Sequence, residues 1–160
     1  MLKVFWIGYG GTSSLAEELR PVIQDLGMIL VTIHEHDNAD IKWDLNTWKQ
    51  ELGRADIVII PMDWKKQPAK SNNRLTQAMS MGKAVVCSPL PAYKEIEAKY
   101  PGCCLFADTL QEWKINLAGL RDDVFRASIA QTARKAAEDY SLDAVGKKWA
   151  DLIKTANKCD

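Results

Sequence analysis

The chain has 160 residues, enough for one domain or for half of a two-domain protein, and 47% of them are apolar, so it can bury a real core. Its 21 basic and 21 acidic residues cancel, which excludes a global field drawing it to nucleic acid or an anionic membrane and makes any anion site a local one. The opening stretch 1–7 is too short and too soon broken by glycine for a signal peptide or a membrane span, which predicts a cytoplasmic protein.

Short apolar runs predict five strands, at 2–8, 28–35, 56–62, 83–88 and 103–107, with helical patterns between them. The first helix is expected to start at Ser13 or Ser14, with Glu17 closing a capping box on Ser14, to kink near Pro21 and to end at Gly27. Trp43, Leu45, Trp48 and Leu52 suit a helix over 44–53, and 92–100 a short helix before the Pro101-Gly102 turn. After the last strand come helices at 109–119, 122–139 and 142–157, the last begun by Ser141 and carrying Leu142, Val145, Trp149, Leu152 and Ile153 on one side. Strands alternating with helices predict an α/β fold: a doubly wound, Rossmann-like parallel sheet of five strands with extra C-terminal helices. In such a sheet ligands bind beyond the carboxyl ends of the strands.

Two segments at those strand ends suit an anion. The loop Gly8-Tyr9-Gly10-Gly11-Thr12-Ser13-Ser14 follows the first strand and opens a helix, so glycine backbone and hydroxyls can approach a phosphate; the same glycines also suit a tight turn of positive φ. Ser13 stands where a dinucleotide fingerprint has its third glycine, although Glu35 or Asp37 could mimic the ribose acid of that fingerprint. The stretch 70–86 joins Lys70 and Arg74, four apart and so on one helix face, to a Met-Gly corner and a buried strand. Asn72 or Asn73 can start that helix and present an amide. The loop between, 61–69, carries Trp64, Lys65 and Lys66; the lysines read as solvated charges, and Trp64 as the exception open to base stacking, where Trp43, Trp48, Trp113 and Trp149 are assigned to packing.

His34 and His36 flank Glu35 without a third metal ligand at a recognisable spacing, and read as solvated strand-end residues. The cysteines at 87, 103, 104 and 159 lack C-x-x-C spacing and read as buried free thiols. A phosphoacceptor receiver domain would need aspartates where the chain has Gly8-Tyr9-Gly10 and Pro61.

From Asp56 onward the chain resembles the C-terminal, donor-binding half of GT-B glycosyltransferases of the group 1, family 4-like type. The resemblance rests on Ala55-Asp56-Ile57-Val58-Ile59-Ile60-Pro61, on Lys70 through Gly82, on Lys83-Ala84-Val85-Val86-Cys87-Ser88-Pro89, on Tyr93-Lys94-Glu95 and on Tyr140-Ser141. It implies a nucleoside-diphosphate sugar as donor substrate, with no cofactor and no metal. Lys70 and Arg74 would grip the diphosphate. Gln77 would stand at the ribose place where many members have glutamate, Ala69 replaces a second family acid, and Gly8, Gly10, Gly11, Thr12 and Asn73 would complete the site. It further implies that the acceptor groups come from an N-terminal domain for which this chain has no room, supplied by a partner or by a second copy. A nicotinamide-dependent oxidoreductase domain and a non-catalytic interaction module are the alternatives.

Overall fold

The computed structural model describes residues 1–156; Cys159 and the expected last residue of the final helix lie outside them. Strand β1 (Lys3–Ile7) leads to two short helices, α1 (Ser14–Glu17) and α2 (Arg20–Asp25), then to β2 (Ile29–His34) and β3 (Ile41–Lys42). Next come α3 (Trp48–Gly53), β4 (Ile57–Ile60), α4 (Asn73–Ser80), β5 (Ala84–Cys87), α5 (Pro91–Lys99) and β6 (Leu105–Phe106). Three helices close the described chain: α6 (Leu110–Gly119), α7 (Asp123–Ala137) and α8 (Leu142–Ala156).

All strand pairs are parallel, in the order β3-β2-β1-β4-β5-β6. The sheet therefore has six strands rather than five. The added one, β3, pairs Ile41 with Ile33 and Lys42 with His34, and two residues are too few to leave an alternating pattern in sequence. The chain reverses its direction of travel across the sheet between β1 and β4. The loops leaving those two strands diverge there and open a crevice, and they are the glycine loop and the loop leading to Lys70.

The sheet is buried on both faces. Phe5, Val58, Val85 and Cys87 pack toward α3, α4, α5 and α7, while Val4, Trp6, Ile57, Ile59 and Val86 pack toward α1, α2 and α6. Strands β4 and β5 are wholly buried, as their unbroken apolar sequences require. Each such side chain contributes about 1.5–3 kcal/mol of burial, which holds the crevice walls in place.

Helix ends follow local chemistry, with one correction. No capping box forms at Ser14 and Glu17. Ser13, at the N-cap, donates its hydroxyl to Gly10 O at 2.7 Å, and Glu17 instead binds Arg20 at 2.6 and 2.9 Å. The capping box lies at Thr109 and Glu112, and Asp122 caps α7 through the Phe125 amide. Helix α4 stops at Gly82 (φ 64°): Gly82 N–H reaches Met79 O and Lys83 N–H reaches Ala78 O, so the Met-Gly corner is a left-handed cap that turns the chain into β5.

The expected helix over 44–53 shortens to α3. Asp44 accepts from the Asn46 amide through its carboxylate and from the Trp48 amide through its carbonyl, which makes 43–47 a capped loop. Trp43 and Leu45, assigned by their spacing to a packed helix face, are exposed on that loop. The apolar face of α8 is exposed as well, Trp149 at 61% and Leu152 at 59%. Cys87, Cys103 and Cys104 are buried free thiols, as expected.

Candidate functional site

Arg74 stands at the centre of the crevice. It sits in the first turn of α4, and its side chain belongs to the walls of two adjoining cavities. The larger, about 460 Å³, is lined by Gly8, Glu35, Trp43, Trp48, Arg74 and Gln77 among others. The second, about 230 Å³, lies toward α1 and includes Gly11, Thr12, Asp63, Gln67 and Lys70. Of the residues read from sequence, the structure thus brings Gly8, Gly11, Thr12, Lys70, Arg74 and Gln77 to one crevice. Gly10 and Asn73, each next in the chain to a lining residue, line neither cavity.

The Arg74 guanidinium is largely desolvated, and burial pulls its pKa down from the ordinary arginine value, with Tyr93 acting weakly the other way. Among the described residues no carboxylate pairs with it and no acceptor takes a hydrogen bond from it; its recorded partner is the Trp6 ring, 6.0 Å from centroid to guanidinium carbon. A cation held in this way gains free energy from an incoming anion, because the cost of desolvating the guanidinium has already been met on folding. Lys70, exposed at the entrance to the second cavity, likewise makes no ion pair among the described residues.

The glycine loop is shaped by close approach rather than by positive φ, which occurs among the described residues only at Gly27, Gly82 and Gly102. A Cβ on Gly10 would stand 2.6 Å from the His36 ring and 2.9 Å from His34 Nδ1, and one on Gly8 would stand 2.6 Å from Trp6. Rings therefore occupy the space where side chains would be. The hydroxyls expected to face a phosphate donate within the loop instead, Thr12 to Tyr9 O at 2.9 Å and Ser13 to Gly10 O at 2.7 Å.

His34 corrects the expectation of a solvated residue. It is 1% exposed, and its Nδ1 accepts from the His36 amide at 3.3 Å, which places its proton on Nε2. Glu35 is exposed and lines the larger cavity; its own N–H and that of Gly10 hold its carboxyl below the usual range, helped by the nearby imidazoles.

The loop after β4 is tied down by contacts within it and to Asp108 and Lys94. The Trp64 indole N–H donates to Asp108 Oδ1 at 2.7 Å, and the Lys65 and Lys94 ammonium groups lie over its ring at 5.5 and 5.4 Å. Lys65 pairs with Asp108 and Lys66 with Asp63. Trp64 is thus a strap joining this loop to the one after β6, and the aromatic side chains lining the larger cavity are Trp43, 41% exposed, and Trp48. Trp43 escapes a reading of sequence because its spacing to Trp48 and Leu52 is helical while its backbone is not.

No protein-family profile matches the sequence, and no curated protein matches it. Solved structures do resemble the fold. The chain is similar to WaaG, a glycosyltransferase involved in lipopolysaccharide biosynthesis, with a TM-score of 0.72 and 17% identity over 96% of this chain and 47% of that one. It is also similar to a candidate UDP-N-acetylglucosamine 2-epimerase from Listeria monocytogenes, with a TM-score of 0.57 and 12% identity over 94% of this chain and 46% of that one. The fold is therefore the Rossmann-like α/β fold of GT-B proteins, and the chain spans about half the length of these neighbours. No helix among the described residues is long and apolar enough to cross a membrane.

Proposed function

We propose that the chain is a donor-binding domain of a GT-B glycosyltransferase, taking a nucleoside-diphosphate sugar at the carboxyl edge of the sheet in the cytoplasm. The observation that carries this reading is Arg74, a largely buried cation without a counter-ion where two cavities meet. The diphosphate lies at Arg74 and Lys70, whose charges meet the negative charge that grows on the leaving diphosphate. The nucleoside fills the larger cavity, its base against Trp43 and its ribose hydroxyls on the Gln77 amide, which both donates and accepts. The sugar points toward the second cavity, past Gly11 and Thr12. Both structural neighbours carry names from nucleotide-sugar or sugar-transfer chemistry, which agrees with this assignment.

The acceptor side is supplied by another domain or by a partner, since the chain spans 47% of the glycosyltransferase it resembles. Holding the acceptor in line is worth on the order of 7–11 kcal/mol in the best intramolecular cases, so the 160-residue chain by itself binds donor without transferring sugar.

A thermal-shift panel of UDP, GDP, ADP, TDP and CMP sugars, with NAD and NADP alongside, tests the reading. A diphosphate sugar should raise the melting temperature, and Arg74→Ala should abolish the response. A response to dinucleotides in place of nucleotide sugars would reassign the crevice to an oxidoreductase domain, and chemical-shift changes confined to α6, α7 and α8 would move the ligand elsewhere.

A further inference from the structure

A guanidinium taken out of water ordinarily meets a carboxylate, which neutralises it and occupies its N–H groups. Arg74 meets an indole instead. Trp6, the fourth residue of β1, is 1% exposed, and the His34 ring braces it edge to face with centroids 5.9 Å apart. Its own indole N–H is buried and finds no acceptor among the described residues, a cost that packing alone gives no reason to carry when phenylalanine or leucine would avoid it. Gly8 leaves the room in which ring and cation meet. A Cβ at Gly8 would stand 2.6 Å from Trp6 Cζ2, 2.9 Å from Cη2 and 3.1 Å from Arg74 Nη2.

Resting on the diphosphate reading of the crevice, we infer that Trp6 is the positioning residue for Arg74: its ring face holds the cation in place while leaving every guanidinium N–H for an anionic ligand. An aromatic face attracts the charge without a hydrogen bond, so the in-plane donors that recognise a diphosphate bidentately stay unspent. The His34 ring and the bare Gly8 backbone fix the indole from the other sides, so the position of the guanidinium is set by β1 and β2 rather than by the flexible arginine stem.

The test separates positioning from packing and from the ligand itself. Arginine side-chain NMR on the free protein should show an Arg74 Nε–H signal shifted by the ring current and slow to exchange, weakened in Trp6→Phe and lost in Trp6→Leu. Calorimetry with UDP, GDP and ADP should show the tightest binder weakened by about 2–30-fold in Trp6→Leu and by less in Trp6→Phe. In an Arg74→Met background, where there is no cation for the ring to hold, Trp6→Phe should change affinity no further; this arm decides the matter if Trp6→Leu fails to fold. An Arg74 signal at the free-arginine position in the unsubstituted protein, or an equal loss from Trp6→Phe with either residue at position 74, would make Trp6 a core residue only. A shifted Arg74 signal in a protein that binds none of the three diphosphates would remove the diphosphate reading and leave the clamp standing.

Discussion

The backbone N–H of Gly10 is held by the Glu35 carboxylate, 3.1 and 3.2 Å from its two oxygens, so one amide of the glycine loop already carries an acid. That carboxylate lines the same cavity as Arg74. On the proposed reading, a diphosphate in this cavity meets like-charge repulsion from Glu35. Glu35→Gln is therefore expected to tighten diphosphate binding at low ionic strength, with the gain fading in high salt, as calorimetry at two salt concentrations would show. Weaker binding by the variant would mean that Glu35 instead accepts hydrogen bonds from the nucleoside.

Arg74 should separate binding from stability. Arg74→Met keeps an unbranched apolar stem and removes a desolvated charge without a counter-ion among the described residues, so the melting temperature should hold or rise. Nucleotide affinity should fall by about 1–3 kcal/mol, as for loss of a charge-assisted hydrogen bond, and Lys70→Ala should lose affinity in the same range. A marked fall in melting temperature for Arg74→Met would show that the guanidinium is structural.

Asp40 governs the acid limit of the β2 edge. Burial works against its ionisation, but Thr32 donates its N–H and hydroxyl to Asp40 Oδ2 at 2.8 and 2.9 Å and Arg20 approaches at 3.1 Å, and the balance lowers its pKa. A carboxyl with a folded pKa below its unfolded value stabilises above about pH 4 and loses that contribution as the pH falls through the folded pKa. Asp40→Asn should cost about 1 kcal/mol at pH 7, the scale for a half-exposed group. The gap from the unsubstituted protein should close below about pH 4 in urea unfolding. A constant gap across that range would assign the loss to packing.

Lys83 ties the second-layer helix that carries Trp48 to the sheet. Its ammonium group donates to Gly53 O at 2.6 Å, the last carbonyl of α3, and to Ala55 O at 2.8 Å, two residues beyond it. Lys83→Met keeps the apolar stem and leaves those carbonyls unpaired, at a cost of about 1–2 kcal/mol. Hydrogen exchange should quicken across residues 48–55 first. Uniform quickening across the sheet would mean that α3 does not open separately.

Much of this crevice was legible in the chain itself. Continuous apolar runs such as Ile57–Ile60 and Ala84–Cys87 can be satisfied only by strands covered on both faces, and the helical stretches between them force parallel pairing. That alone sends the glycine loop and the Lys70 segment to the same edge of the sheet. Gly27 and Gly82 likewise announce their helix ends, because both need a left-handed backbone, at φ 70° and 64°. What sequence could not supply were contacts between residues distant along the chain. Trp6 reads as one more strand residue until Arg74, sixty-eight positions later, is folded over it. Trp43 reads as helical until Asp44 caps the loop, and His34 reads as solvated until β3 and the glycine loop close over it. Periodicity reports which face of an element meets the core; which side chains meet across the ends of a sheet is set by how its loops pack, and that is decided only when the strands are in place.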